Sequence, residues 1–387
     1  MTPMTPRERV LAAMKLQEPD GIPVMCQMAL GHMLLNSKID PVEFFLSSEA
    51  YARGVLFMRE FYGFDGMLLH KPGRENGWEP LIDSIDRSGE CPEIRLKDGA
   101  KIECRWDDDP YFIFADDFKL PLPSEVDPLH PLEALPETYR HWCLMKATFP
   151  FSRPEEFPPY YFAALDRVLA EAKGRYSVHG EVRAAMDSVI ACFGIEETMV
   201  GLLTEPEKIE PILEYFAVRS AAWAEAQIRR GADAVKISAP FAGGGFISRE
   251  HYERFVLPYE KEIGERVRKA GGFAYIHTCG AIGDRLDLMM KTGVHGLECL
   301  DPPPLGNVDI GAAKKLLEGK LFIKGNVDSV NTLLRKDVPG VEADVHAVLD
   351  TGVRGGGFIL STACSIAPPV KPENIHAMVA AGHGWQS

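Results

Sequence analysis

The chain has 387 residues, 46% of them hydrophobic and 25% charged, enough apolar material for one large core or two ordinary ones. Its formal net charge of −14 argues against nucleic acid as a partner, because phosphate binding needs a basic face. No apolar run approaches the roughly 18–20 residues of a membrane span, and the 8 cysteines lack the density of a disulfide scaffold. A helix start at residues 1–9, with no signal-peptide core, places the chain by expectation in the reducing cytoplasm.

In chain order, Thr5-Pro6-Arg7-Glu8 is a capping box with proline at the first helical position, leading into an amphipathic helix that would close the bottom of a barrel. Short apolar runs follow at 22–26, 64–69, 176–181, 234–238, 273–278, 296–300, 321–325 and 358–362. Helical patterns separate most of them, such as 284–291 and 338–351, the second ending at a glycine C-cap, Gly352. Parallel strands with crossover helices in this number predict an α/β fold, a (β/α)8 TIM barrel forming one domain over 1–387. An open doubly wound sheet fits less well, since no Gly-x-Gly-x-x-Gly turn follows the first strand. More than a hundred residues separate the second and third runs, and alternation around Asp98-Gly99 in 93–105 predicts a β-hairpin there. With the proline- and acid-rich 107–158 it defines an insertion after the second strand, 72–160, read as hairpin and lid.

His277-Thr278-Cys279-Gly280 and the distant Cys364 offer an imidazole and two thiolates to one zinc ion. On the barrel, His277 and Cys279 fall at the carboxyl end of the fifth strand and Cys364 just past the eighth, so all three face the mouth where barrel enzymes act. Taken singly, these residues read as a strand-end histidine and buried thiols; their coincidence at one end favours a metal. Glu298 alternates with Cys299 at the end of the sixth strand, so one of the two must point inward.

Six ordered segments carry a resemblance along nearly the whole chain. They are Arg7-Glu8-Arg9-Val10-Leu11 with Pro23-Val24, Gly231-Ala232-Asp233-Ala234, Ile247-Ser248 with Phe255-Val256-Leu257-Pro258-Tyr259, His277-Thr278-Cys279-Gly280, Gly325-Asn326-Val327-Asp328 and Cys364. The chain resembles the uroporphyrinogen decarboxylase superfamily, and within it the zinc-dependent methyltransferases that work with corrinoid proteins. By similarity to cobalamin-independent methionine synthase, whose zinc is held by a His-x-Cys pair, a later glutamate and a distant cysteine, Glu298 becomes the fourth ligand. The decarboxylase carries an arginine-rich loop after its first strand, whereas this chain reads Cys26-Gln-Met-Ala-Leu-Gly-His-Met-Leu34 there, which disfavours a porphyrin polyacid.

The resemblance implies a zinc Lewis acid serving one of two reactions. One moves methyl from a methoxylated, commonly aromatic, compound to the cob(I)alamin of a corrinoid protein; the other gives the methyl of a methyl-corrinoid to a thiol such as coenzyme M or homocysteine. The insertion and the apolar segment 25–35 suggest an enclosed pocket and favour the first. A zinc-stabilised binding module is the non-enzymatic alternative. No Asp-x-His-x-x-Gly signature occurs, so the corrinoid is expected on a separate, transiently docking protein. The small-molecule methyl donor is the other partner, and the sequence leaves room for a homodimer. His179 and Glu181 share a face at the third strand's end as candidate proton donors or steering groups. Asn326 is a candidate for orienting a ligand or substrate, and Met28, His32 and His70 for touching the substrate, although each histidine taken alone also reads as structural.

Overall fold

Apolar runs that pair in parallel are buried on both faces, which is why the central strands read as near-continuous hydrophobic segments. The computed structural model describes residues 3–74, 76–115 and 118–385. The strands are β1 (Gly66–Leu68), β2 (Ile82–Asp86), β3 (Glu93–Leu96), β4 (Lys101–Glu103), β5 (Tyr111–Ile113), β6 (Ser177–Arg183), β7 (Ala234–Ser238), β8 (Phe273–Thr278), β9 (Gly296–Cys299), β10 (Phe322–Val327) and β11 (Phe358–Thr362). A curled, wholly parallel sheet runs β1-β6-β7-β8-β9-β10-β11, and a second, antiparallel sheet runs β2-β3-β4-β5. The fold is α/β with helices crossing between successive strands of the large sheet.

The expected first strand, 22–26, is corrected: the large sheet has seven strands, and this segment makes only an isolated parallel bridge from Val24 to Leu360. Pro23 has no amide hydrogen, and the Val24 amide donates to the Asp65 carboxylate at 2.7 Å instead of to a strand. The segment still links the two edges, because Met25 N donates to Leu360 O at 3.0 Å and Asp65 N to Val24 O at 2.9 Å.

Thr5 accepts from the Glu8 amide while Glu8 accepts from the Thr5 amide, so the capping box opens α1 (Pro6–Met14) as expected. Val10, Ala13 and Met14 of α1 pack with Met25, Leu68, Ala234, Tyr275, Phe322 and Ile359, filling the concave side of the sheet at its amino-terminal end. A bidentate pair from Arg7 to Asp233, with Nη2 at 2.7 Å from Oδ1, fastens the helix to the loop before β7. Polar chemistry is thereby pushed toward the carboxyl end. Two helix expectations shift: 284–291 becomes a short helix at Leu286–Met289 with a 3-10 turn, and Gly352 ends the helix Val338–Gly352, with Val353 as its cap.

Residues 93–105, read as one hairpin, supply β3 and β4, with the turn at Gly99 (φ 89°), to the four-stranded sheet. The connection from β4 to β5 presses on the helix Leu30–Ser37: a Cβ on Gly31 would lie 2.2 Å from the backbone carbon of Asp107. Gly31→Ala is therefore expected to destabilise the fold by about 1–3 kcal/mol through overpacking, read as a lower melting temperature. Among the described residues, no helix is long and apolar enough to cross a membrane.

Candidate metal centre

β8 and the residue after it bring His277 and Cys279 to the carboxyl end of the sheet, where the end of β9 and the loop after β11 meet them. His277 Nε2 lies 3.3 Å from Cys279 Sγ, which lies 3.5 Å from Cys364 Sγ. Cys299 Sγ completes the group, with all four donor atoms within 4.8 Å of one another. A tetrahedral zinc with Zn–S bonds near 2.3 Å would hold its sulfurs roughly 3.8 Å apart, so the donor set fits zinc in both chemistry and spacing.

Glu298, expected as the fourth donor, lies outside the four-atom group, which holds Cys299 instead. Glu298 faces the other ring nitrogen, His277 Nδ1, at 2.9 Å, and its second oxygen accepts from the Lys324 ammonium. It stands behind the imidazole, fixing tautomer and ring plane as carboxylates behind metal-binding histidines do. Strict alternation would send Cys299 to the far face, but its φ of 86° and that of Leu300, 55°, end the alternation in the left-handed region. Non-glycine residues resist this backbone by about 1–2 kcal/mol each. Neighbouring bonds hold it in place: Asn326 Nδ2 donates to Leu300 O at 3.0 Å, and Cys299 Sγ donates to Asp301 Oδ2 at 3.2 Å. Asp301 Oδ2 also accepts from Gly280 N at 2.7 Å, tying the two donor-bearing loops together.

The surroundings favour a thiolate at Cys364, whereas burial and then the Cys279 sulfur raise the pKa of the Cys299 thiol well above its ordinary value. Hydrogen bonding from Cys279 and then Cys299 holds the Cys364 thiol far below its ordinary range. Burial opposes an imidazolium at His277, yet the Cys279 sulfur first, then Cys364 and Glu298, raise its pKa well above the usual value. Burial likewise opposes the Glu298 carboxylate, but Lys324 and then His277 hold its pKa well below the ordinary carboxylate range.

The sheet register aligns Arg183, Ser238, His277, Glu298 and Lys324 across β6 to β10. Two residues earlier, Glu181 and Lys236 form a second ion pair at 2.8 Å, and Lys236 Nζ also donates to Gln27 Oε1 at 2.5 Å. His70 Nδ1 reaches Glu181 Oε2 at 3.0 Å, so Glu181 and His70, expected separately, are brought together. Lys236 and then His70 hold the Glu181 carboxylate ionised against its burial.

Other expected residues fall elsewhere. His179 is corrected from a catalytic to a structural place: Tyr275 Oη and Ser177 Oγ each lie 3.0 Å from its ring nitrogens, and burial lowers its pKa to about 4. His32 is corrected likewise, its Nε2 being 2.7 Å from Tyr62 Oη and its Nδ1 3.2 Å from Pro368 O. Met28 bridges to Ile366 and lines a small void with Cys26, Met33 and His70. Asn326 acts on the Leu300 backbone beside the metal group, and among the described residues its buried Oδ1 has no hydrogen-bond partner.

Sequence reasoning missed Lys236 and Lys324, although a lysine inside an apolar strand such as Phe-Ile-Lys-Gly is itself a signal, because an unpaired ammonium is almost never fully buried. It also missed Asp187, in the helix Ala185–Phe193 after β6. Its carboxyl is fully buried, and desolvation raises its pKa to about 8 against the opposing pull of Arg183.

A curled parallel sheet with polar chemistry at its carboxyl end is a common enzyme architecture, and comparison places it more closely. The family model described as uroporphyrinogen decarboxylase (URO-D) matches residues 145–385, and the chain belongs to that family. It is similar to the methylcobamide:CoM methyltransferase MtbA of Methanosarcina acetivorans, 30% identical over 207 residues, covering 52% of this chain and 58% of the relative. It is also similar to the uroporphyrinogen decarboxylase of Geobacter metallireducens, 28% identical over 240 residues, covering 59% of this chain and 66% of the relative. The chain thus spans between about half and two thirds of the length of these relatives. In fold it matches a methyltransferase from Methanosarcina mazei over 98% of both chains, with a TM-score of 0.70 at 19% identity.

Proposed function

We propose that this chain is a zinc-dependent methyltransferase that moves a methyl group between a separate corrinoid protein and a small molecule bound at the His277, Cys279, Cys299 and Cys364 group. The observation that carries this reading is that donor set itself, soft, buried on one side and backed by Glu298. Zinc held there would supply Lewis acidity that lowers the pKa of a bound thiol or polarises an ether oxygen. The MtbA relative names the thiol direction, and we take methyl-corrinoid to thiol, with coenzyme M as the first acceptor to try, as the better-supported direction.

The chain's own residues divide the work. Glu298 keeps the proton on His277 Nδ1 and so leaves Nε2 free to bind. Lys324 keeps Glu298 ionised, and Asp301 holds both the Gly280 amide and the Cys299 thiol. Four protein donors fill a tetrahedral set, so a substrate needs one of them to yield. Cys299 suits that part, because its backbone is strained and its sulfur already has Asp301 as an alternative partner. A second reading, methyl removal from a methoxylated compound, needs a proton for the departing alkoxide or phenoxide, and the candidate donor is Asp187 in the helix Ala185–Phe193, whose pKa burial raises. Decarboxylation of uroporphyrinogen is disfavoured, since residues 26–34 offer no cation to a polyacid.

The test is anaerobic. Zinc-loaded protein with methylcobalamin and coenzyme M should release cob(I)alamin, followed by absorbance; the reverse assay offers cob(I)alamin with a panel of methoxyarenes, methanol and methylamines. Absence of methyl transfer in both directions, with stoichiometric zinc bound, would overturn the proposal.

A further inference from the structure

Beside the metal group lies a set of cations that the proposed chemistry leaves unused. Lys71 follows β1, Arg183 ends β6, and Lys146 arrives from the helix Glu137–Met145 in the segment between those strands. Arg183 Nε donates to Lys146 O at 2.5 Å, which locks the two together. Lys71 and Lys146 share one carboxylate, Asp109, at 3.6 and 3.3 Å. Among the described residues no carboxylate forms an ion pair with Arg183 or with the buried Arg74, whose Nε has no hydrogen-bond partner. Glu181 does not make up the deficit, because Lys236 already holds it.

Lys71 and Lys146 have one half-exposed carboxylate between them, and their own side chains are nearly buried. Their mutual strain is visible at Lys146, where burial and then the Lys71 ammonium push the pKa down to about 7. Two ammoniums on one carboxylate leave a net positive charge that a bound anion would neutralise. The register puts Arg183 two strands from His277 in one row, on the order of 10 Å between backbones at sheet spacing. That separation suits a small molecule with an acidic group at one end and a heteroatom at the other. Leu30, Phe44 and Met145 line a small void together with Lys71, Arg74 and Lys146.

We propose that Lys71, Lys146 and Arg183 form the subsite for a carboxylate or sulfonate on the small molecule whose heteroatom reaches the metal group. This rests on the methyl-transfer reading for its account of the far end of the ligand, and binding measurements separate the two. Isothermal titration of the zinc-loaded protein compares coenzyme M and 3-mercaptopropionate with neutral 2-mercaptoethanol, and 3-methoxybenzoate with anisole. The anionic member of at least one set is expected to bind about tenfold tighter or more, as charge-assisted hydrogen bonds require. The tighter of coenzyme M and 3-mercaptopropionate tells sulfonate from carboxylate. Lys146→Met and Arg183→Gln should each erase that preference while leaving the neutral analogue's affinity unchanged, and Lys146→Arg should restore it. Two substitutions guard against one failing to fold, with melting curves as the control. Equal affinity within both sets, or a preference that survives in both folded variants, would overturn the subsite. Anion preference without methyl transfer would leave the subsite standing and sink the methyl-transfer reading.

Discussion

Cys279→Ala is expected to strip the protein of stoichiometric zinc and to abolish methyl transfer while leaving the fold intact. The sulfur of Cys279 is the centre of the donor group, touching His277 Nε2 at 3.3 Å and Cys364 Sγ at 3.5 Å, and the residue lies beyond the end of β8 and is only half-buried. Its loss removes a thiolate and no core packing, so the melting curve of the metal-free variant should overlay that of the metal-free parent. Removing even a group behind a metal ligand costs roughly 10–100-fold in metal affinity, and a direct donor costs more. Glu298→Gln should show the smaller effect and Cys279→Ala the larger. Cys192→Ala provides the contrast: its thiol is buried against Cys143 at 3.9 Å, away from the donors, so zinc content should hold. Elemental analysis after dialysis against a weak chelator reads all three. A Cys279→Ala protein that kept one zinc per chain and full activity would remove the metal group from the mechanism.

What the sequence made legible about this site depended on how far local chemistry determines geometry. The His-x-Cys pair was readable because residues two apart at a strand end share a face whatever the fold around them, and Cys364 because β11 ends next to β10 in a curled parallel sheet. The capping box of α1 was readable for the same reason: its partners are three residues apart. Alternation posed Glu298 and Cys299 as rivals for the inward position, but the placement of Cys299 depends on a left-handed backbone at two non-glycine residues, which tertiary bonds from Asn326 and Asp301 hold and no local preference announces. The first strand failed for a related reason, since Asp65 captures the Val24 amide from forty-one residues away. His179 and His32 show the converse. Both were in plausible places, and only the structure reveals that Tyr275, Ser177, Tyr62 and Pro368 already occupy their ring nitrogens.

Lys324→Met is expected to destabilise the protein more than any substitution among the metal donors. Lys324 and Glu298 are both fully buried on neighbouring strands, and each is the other's counter-charge. Removing one partner of such a pair leaves an uncompensated charge in a medium that cannot solvate it, a cost of about 3–5 kcal/mol. Ser361 Oγ, 3.3 Å from Lys324 Nζ, would lose its partner as well. The pair itself contributes far less than that figure, because desolvating two ions offsets most of their attraction. Lys324→Met combined with Glu298→Gln should therefore recover most of the lost stability, since neither residue then needs a counter-ion and the methionine keeps the lysine's volume. Activity separates from stability at this point. The double variant is expected to fold, but a glutamine behind His277 Nδ1 no longer carries the charge that makes Nε2 a strong donor, so zinc affinity should fall by the roughly 10–100-fold typical of that layer. Denaturant melts of the two single variants and the double variant give the coupling between the residues, and zinc competition gives the affinity. A double variant as unstable as Lys324→Met alone would show that the lysine stabilises through packing and not through its charge, and would end the argument that this ion pair exists to hold the histidine.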